Sequence, residues 1–139
     1  MNRKLIPKQI KELINYWWKT SEHDNKTMLI LFKHKHYSDS LFFGHIVLEK
    51  ILKAHVVKYT NKEAPRIHDL VELSKRANLN LNQEELEYLK IVNRFNMRTR
   101  YPDVKLRFYK QCTLEYTQEH LDEINKLYKK LCQQFKQKK

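Results

Sequence analysis

Apolar positions along the chain recur every three to four residues, a spacing that predicts helix rather than strand. Over residues 7 to 33, Ile10, Leu13, Ile14, Trp17 and Trp18 make an i, i+3, i+4 stripe. Met28, Leu29, Leu31 and Phe32 restore the apolar face further on, and Pro7 suits a first helical position. The polar middle "KTSEHDNK" reads as the exposed waist of this helix or as a kink, with one continuous helix favoured. A second helix is expected from a cap at Ser38 or Asp39 to about Tyr59. Its Leu41, Phe42, Ile46, Leu48, Ile51, Leu52, Val56 and Val57 cover far more than one stripe. A helix this apolar is central in a bundle, or is shared between the core and a dimer interface.

The loop "TNKEAPR" follows, where Pro65 pushes Ala64 out of helical geometry. A short helix is expected in "HDLVELSKRA" and stops at "NLNLN". The next, "QEELEYLKIVNRFNM", has glutamates in its first turn and Leu86, Leu89, Val92 and Phe95 on one face. A last helix is expected from Pro102 to about Phe135, carrying Leu114, Leu121, Ile124, Tyr128 and Leu131. The predicted fold is all-α: an antiparallel four-helix bundle with an additional short helix. Residues 1–139 form one domain, with about 7–135 ordered and a frayed basic tail.

Composition narrows this picture. One glycine and three prolines in 139 residues leave too few turn formers for an all-β fold. No run of 18 apolar residues is present to cross a membrane, and "MNRKLIPKQIKEL" lacks the apolar core of a secretory signal. Cys112 and Cys132 have no CxxC partner, which suits small buried hydrophobes in a reducing, cytoplasmic compartment. The formal net charge of +12 favours a polyanionic partner: nucleic acid, nucleotide or an acidic protein. Part of that excess lies in the terminal "KLYKKLCQQFKQKK", where a helix dipole also favours cations.

Candidate chemistry concentrates in "NRFNMRTRYPD" at 93–103. Arg98 and Arg100 could bind phosphate while Tyr101 stacks on a base or donates its hydroxyl. The same residues also suit a helix junction. The arginines would complement a helix C-terminus, Tyr101 would be extended before Pro102, and Asp103 would favour the next N-terminus. On the second helix, Lys50 or Lys53 could add to an anion site and Glu49 could orient an arginine; Glu49 and Lys53 also form a favourable i, i+4 pair. His68 could move a proton near the arginines, or His68 or Asp69 could simply cap a helix. Asp24 is expected to pair with an arginine inside the bundle. Trp17 and Trp18 point about 100° apart, so one is left to cover a dimer seam. The "HKH" at 34–36 does not share a helix face and no acidic cluster completes it, so no metal is expected. No P-loop, dinucleotide fingerprint or catalytic triad appears, so no cofactor is expected either.

"NYWWKTSEHD" (15–24), "YSDSLFFGHIVLEKILKAHVV" (37–57), "APRIHDL" (64–70) and "RTRYPD" (98–103), in this order, resemble the HEPN domain, the higher-eukaryote and prokaryote nucleotide-binding superfamily. The resemblance runs from about Leu13 to Phe135. It implies a compact helical bundle, frequent homodimers, and RNA cleavage or nucleotide binding. It also implies, for many bacterial members, a partner encoded alongside: a minimal nucleotidyltransferase that neutralises a toxin, in some systems by adding AMP to a tyrosine. The family's ribonuclease signature is an arginine followed, after four to six intervening residues, by a histidine. One stabilises charge on the scissile phosphate and the other moves a proton. Here residues 103 to 107 read Asp-Val-Lys-Leu-Arg and the next histidine is His120, so the histidine half is missing.

The expected function is therefore binding of nucleotide or RNA phosphate by Arg98, Arg100, Tyr101, Lys50 and Lys53, supported by Asp24, Glu49 and Asp103, within a two-gene toxin–antitoxin-like system. Tyr101 would stack or accept modification. Two alternatives stand beside it. One is a metal-independent endoribonuclease using Arg100 or His68 at an unusual site. The other is a non-catalytic module that binds a protein through the second helix.

Overall fold

The computed structural model describes residues 4–137 and contains six helices among them: α1 (Pro7–Lys33), α2 (Tyr37–Thr60), α3 (Leu70–Arg76), α4 (Gln83–Asn93), α5 (Pro102–Gln111) and α6 (Leu114–Gln137). The all-α class follows from the apolar periodicity, and α1 is continuous through its polar waist. The waist is not wholly exposed as expected, since Ser21 and Asp24 are buried to make polar contacts with α6 and α2; beyond it Leu29 and Ile30 are exposed.

Three residues link α1 to α2, which forces an antiparallel hairpin. The pairings run in opposite senses: Ser40 Oγ donates to the Met28 carbonyl at 2.8 Å, Lys50 pairs with Asp24, and Lys53 lies over the Trp17 ring. Helix α6 runs parallel to α2, with His55 Nε2 donating to the Leu131 carbonyl at 2.9 Å. Against α1 it is antiparallel, fixed by the Ser21–Tyr128 hydroxyl contact at 2.9 Å and by Trp18 against Phe135.

Helix α2 is the hub. It touches α1, α3, α4, α5 and α6, and Leu41, Val47, Leu48, Ile51, Leu52, Ala54 and Val57 are fully buried. Each such large side chain contributes about 1.5–3 kcal/mol by leaving water. Gly44 lets α6 come close: a Cβ there would lie 2.6 Å from Ile124 Cδ1 and 3.3 Å from Met28 Sδ.

Four boundaries differ from the sequence reading. Helix α2 starts at Tyr37, with His36 as the capping residue, so Ser38 and Asp39 fall in its first turn. The helix expected from Pro102 to Phe135 is two helices, broken at Cys112–Thr113. Thr113 Oγ1 accepts from the Tyr116 N–H at 3.2 Å and so caps α6. Helix α4 stops at Asn93, because that side chain is taken by α3: its amide donates to Asp69 at 3.0 Å and its oxygen accepts from the Leu70 N–H at 3.0 Å. At the far end α6 continues as helix to Gln137, past the expected fraying point, and Lys138 and Lys139 lie outside the described residues.

These breaks make the corner at 94–101. Phe95, 1% exposed, pins it to the core against Phe108 and His120. Tyr88 adds a second tie: its hydroxyl lies 2.8 Å from His120 Nδ1 and clamps α4 to α6.

Candidate functional site around Glu49

His45, Glu49 and Lys53 succeed one another at i, i+4 and i+8, so they lie along one face of α2. All three are buried, as are Ser40 and His55 of the same helix. Two further elements meet this face. The segment before α3 brings His68, and the corner after α4 brings Arg98.

Glu49 is the centre. Its Oε1 accepts from Arg98 Nη2 at 3.0 Å, and its Oε2 accepts from Lys53 Nζ at 3.0 Å and from His68 Nδ1 at 2.9 Å. Burial opposes ionisation of this carboxyl, but the hydrogen bonds from His68 and Lys53 outweigh it and hold the group below the usual carboxylate range. A buried carboxylate with three donors is well satisfied.

The charges do not cancel. One carboxylate faces the Lys53 ammonium and the Arg98 guanidinium, which leaves the cluster with surplus positive charge. Lys53 spends part of that charge on the face of Trp17, 5.2 Å from the ring centroid. Arg98 is the accessible end, with a side chain 39% exposed. Its Nε donates to Asn96 Oδ1 at 3.0 Å, the same oxygen takes the Arg98 N–H at 3.2 Å, and the guanidinium lies 5.7 Å from the Phe42 ring. Its Nη1 makes no hydrogen bond among the described residues.

His45 adds a constraint. A carbonyl oxygen only accepts, so His45 Nε2 donates to the His68 backbone at 2.9 Å. Burial lowers its pKa to about 4, so the ring is neutral near pH 7 and Nδ1 carries a lone pair. Among the described residues that atom has no hydrogen-bond partner, and Glu49 Oε1 is 3.7 Å away. His68 is oriented differently. Its Nδ1–H points at Glu49, and the ring is 47% exposed. In the neutral ring Nε2 is then an acceptor.

The expected residues therefore divide. Arg98, Glu49, Lys53 and His68 come together. Lys50 does not join them: it pairs with Asp24 at 2.7 Å, so the partner of Asp24 is a lysine of α2 and not an arginine. Arg100 and Tyr101 are exposed, Tyr101 to 78%, and Tyr101 serves as the residue before Pro102 at the start of α5. Asp103 pairs with Arg107 along α5 at 3.6 Å. Asp69, not His68, caps α3, accepting from the Val71 N–H at 3.0 Å. Trp17 and Trp18 are both half-buried.

Sequence reading missed His45 and Asn96. A histidine four residues before Glu49 in an apolar helix was the available signal for the first. An asparagine two residues before Arg98, able to close an Asx turn, was the signal for the second. Among the described residues no cluster of three metal-ligating side chains occurs, and no helix is long and apolar enough to cross a membrane.

The family model of the HEPN domain matches residues 14–137. No curated protein and no solved structure matches the chain.

Proposed function

This chain belongs to the HEPN domain family, and we propose that it binds the phosphate of RNA or of a nucleotide at the Glu49 cluster, with Arg98 as the contacting group. The carrying observation is the arrangement of Arg98: one edge of its guanidinium is fixed by Glu49 and Asn96, and the side chain is still partly exposed. A guanidinium immobilised in this way loses little freedom when it takes a phosphate. Lys53 supplies positive potential from below, and the exposed Arg100 adds to the field around the corner. Lys50 contributes less, since Asp24 neutralises it.

The direct test is titration with single-stranded RNA at two salt concentrations. Phosphate contacts release counterions, so affinity falls steeply with added salt. Arg98→Ala weakens binding at least tenfold, whereas an unchanged affinity would contradict the assignment.

A specific observation also favours a second reading, metal-independent RNA cleavage. Glu49 orients His68 through Nδ1 at 2.9 Å and Arg98 through Nη2 at 3.0 Å, so a proton acceptor and a phosphate-binding cation share one carboxylate. In this reading His68 Nε2 takes the proton of a ribose 2′-hydroxyl and the oxygen attacks the adjacent phosphorus. Arg98 stabilises the added charge. The 5′-oxygen leaves and takes a proton from water, giving a 2′,3′-cyclic phosphate. Cleavage that persists in EDTA and disappears in His68→Ala supports this reading. No cleavage at high protein concentration leaves binding alone.

Pairing with a minimal nucleotidyltransferase, and assembly as a homodimer, remain proposals that rest on the resemblance of the chain to bacterial members of the family. Co-expression with such an enzyme and sedimentation of the purified chain test them separately.

A further inference from the structure

A groove of about 440 Å³ opens beside Arg98, between the start of α2, the corner after α4 and α5. That volume lies within the range of small-molecule sites, about 300–1,000 Å³. Phe42, Met97 and Phe108 give it an apolar floor, and Arg98, Lys105, Asp39 and Ser38 form a polar rim. Tyr109 stands at its edge with 67% of its surface exposed, although it is a large aromatic side chain.

We infer that this groove holds the nucleoside part of the ligand whose phosphate lies at Arg98. The inference rests on the phosphate-binding reading above and extends it from a charge to a ligand class. Three features converge. The groove is continuous with the anion site, because Arg98 belongs to both. The exposed ring of Tyr109 offers a flat face on which a base can stack, a contact tolerant of base identity. The rim carries two cations against one carboxylate, the balance suited to a ligand that is anionic at one end and donates hydrogen bonds at the other.

Asp39 then sets the preference. A carboxylate only accepts, so it favours a base whose edge presents donors. Guanine offers adjacent N1–H and N2–H groups, whereas adenine offers N6–H beside an acceptor at N1. His36 of the preceding turn lies 3.9 Å from Asp39 and does not saturate it. Ser38 can serve a carbonyl or a hydroxyl.

The test compares ribose 5-phosphate, GMP and AMP, titrated into the full chain and followed by NMR shifts. GMP is expected to bind at least tenfold tighter than ribose 5-phosphate and several-fold tighter than AMP. Tyr109→Ala should reduce GMP to the level of ribose 5-phosphate, and Asp39→Asn should remove the preference over AMP. Both residues are exposed, so neither change threatens the fold. GMP binding unaffected by Tyr109→Ala overturns the inference while leaving the phosphate site intact, provided Arg98→Ala still weakens ribose 5-phosphate. Equal binding of GMP and AMP by the unaltered chain overturns the role of Asp39. If Arg98→Ala changes the binding of none of the three, the phosphate reading itself fails, and this inference fails with it.

Discussion

The guanidinium of Arg98 lies 3.0 Å from Oε1 of Glu49, a residue 49 positions earlier in the chain. The contact ties the corner after α4 to the central helix. It also makes one buried carboxylate responsible for both fold and site, since Lys53 and His68 depend on the same group.

Removing that carboxylate should therefore be expensive. Glu49→Ala strands the Lys53 ammonium, whose side chain is 7% exposed. Breaking a buried pair in this way costs about 3–5 kcal/mol. Urea denaturation measures it. A loss below about 1 kcal/mol would mean that Lys53 finds water or another partner.

Arg98 and Arg100, two residues apart, should behave differently. Arg98→Ala removes a guanidinium oriented by Glu49 and Asn96 and, on the proposed phosphate reading, is expected to weaken RNA binding at least tenfold. Arg100→Ala removes only an exposed charge, so its effect should be a few-fold and should vanish at high salt. Equal losses in the two variants at high salt would contradict this division.

Stability should fall with acid partly through His45. Burial lowers its pKa from 6.5 to about 4. In the unfolded chain it binds a proton near pH 6.5, whereas in the folded chain it resists until about pH 4. Stability is therefore complete above 6.5 and is lost as pH falls toward 4, by on the order of 3 kcal/mol. Glu49 adds to the loss at still lower pH, because its carboxyl is also held low. Denaturation curves across this window should flatten in His45→Asn. An equally steep fall in that variant would show that His45 is not the group that titrates.

Gly44 should tolerate no branched side chain. Ile124 Cδ1 would lie 2.6 Å from a new Cβ, and Ile124 is fully buried. Gly44→Val is expected to destabilise by about 1–3 kcal/mol or more, as overpacking does. Thermal unfolding checks it, and an unchanged midpoint would show that α2 and α6 can move apart at no cost.

Helices were legible where apolar period and caps agree. Pro7 and the stripe from Ile10 to Trp18 mark α1 from its first residue, and the unusual apolarity of α2 marks the hub. The break before α6 was not legible, because Leu106, Tyr109 and Leu114 keep a helical pattern across it while standing exposed. The non-helical backbone of Cys112 and the Thr113 cap separate the two helices.

The site was partly legible for a similar reason. Charged residues in an apolar helix pointed to Glu49 and Lys53, and a cluster of arginines pointed to the corner. Which arginine turns inward depends on the Asn96 turn, a local geometry of three residues that periodicity does not reach. Lys50 illustrates the same limit. It is adjacent to Glu49 in sequence but about 100° around the helix, where α1 meets it with Asp24.

The central claim is that Arg98, held by Glu49, receives a phosphate. The most direct measurement is the affinity of a single-stranded RNA oligomer for the chain and for Arg98→Ala, each at low and moderate salt. Binding is expected to weaken steeply with salt and at least tenfold with the substitution, with a shallower salt dependence in the variant. Binding of equal strength and equal salt dependence in both proteins would contradict it.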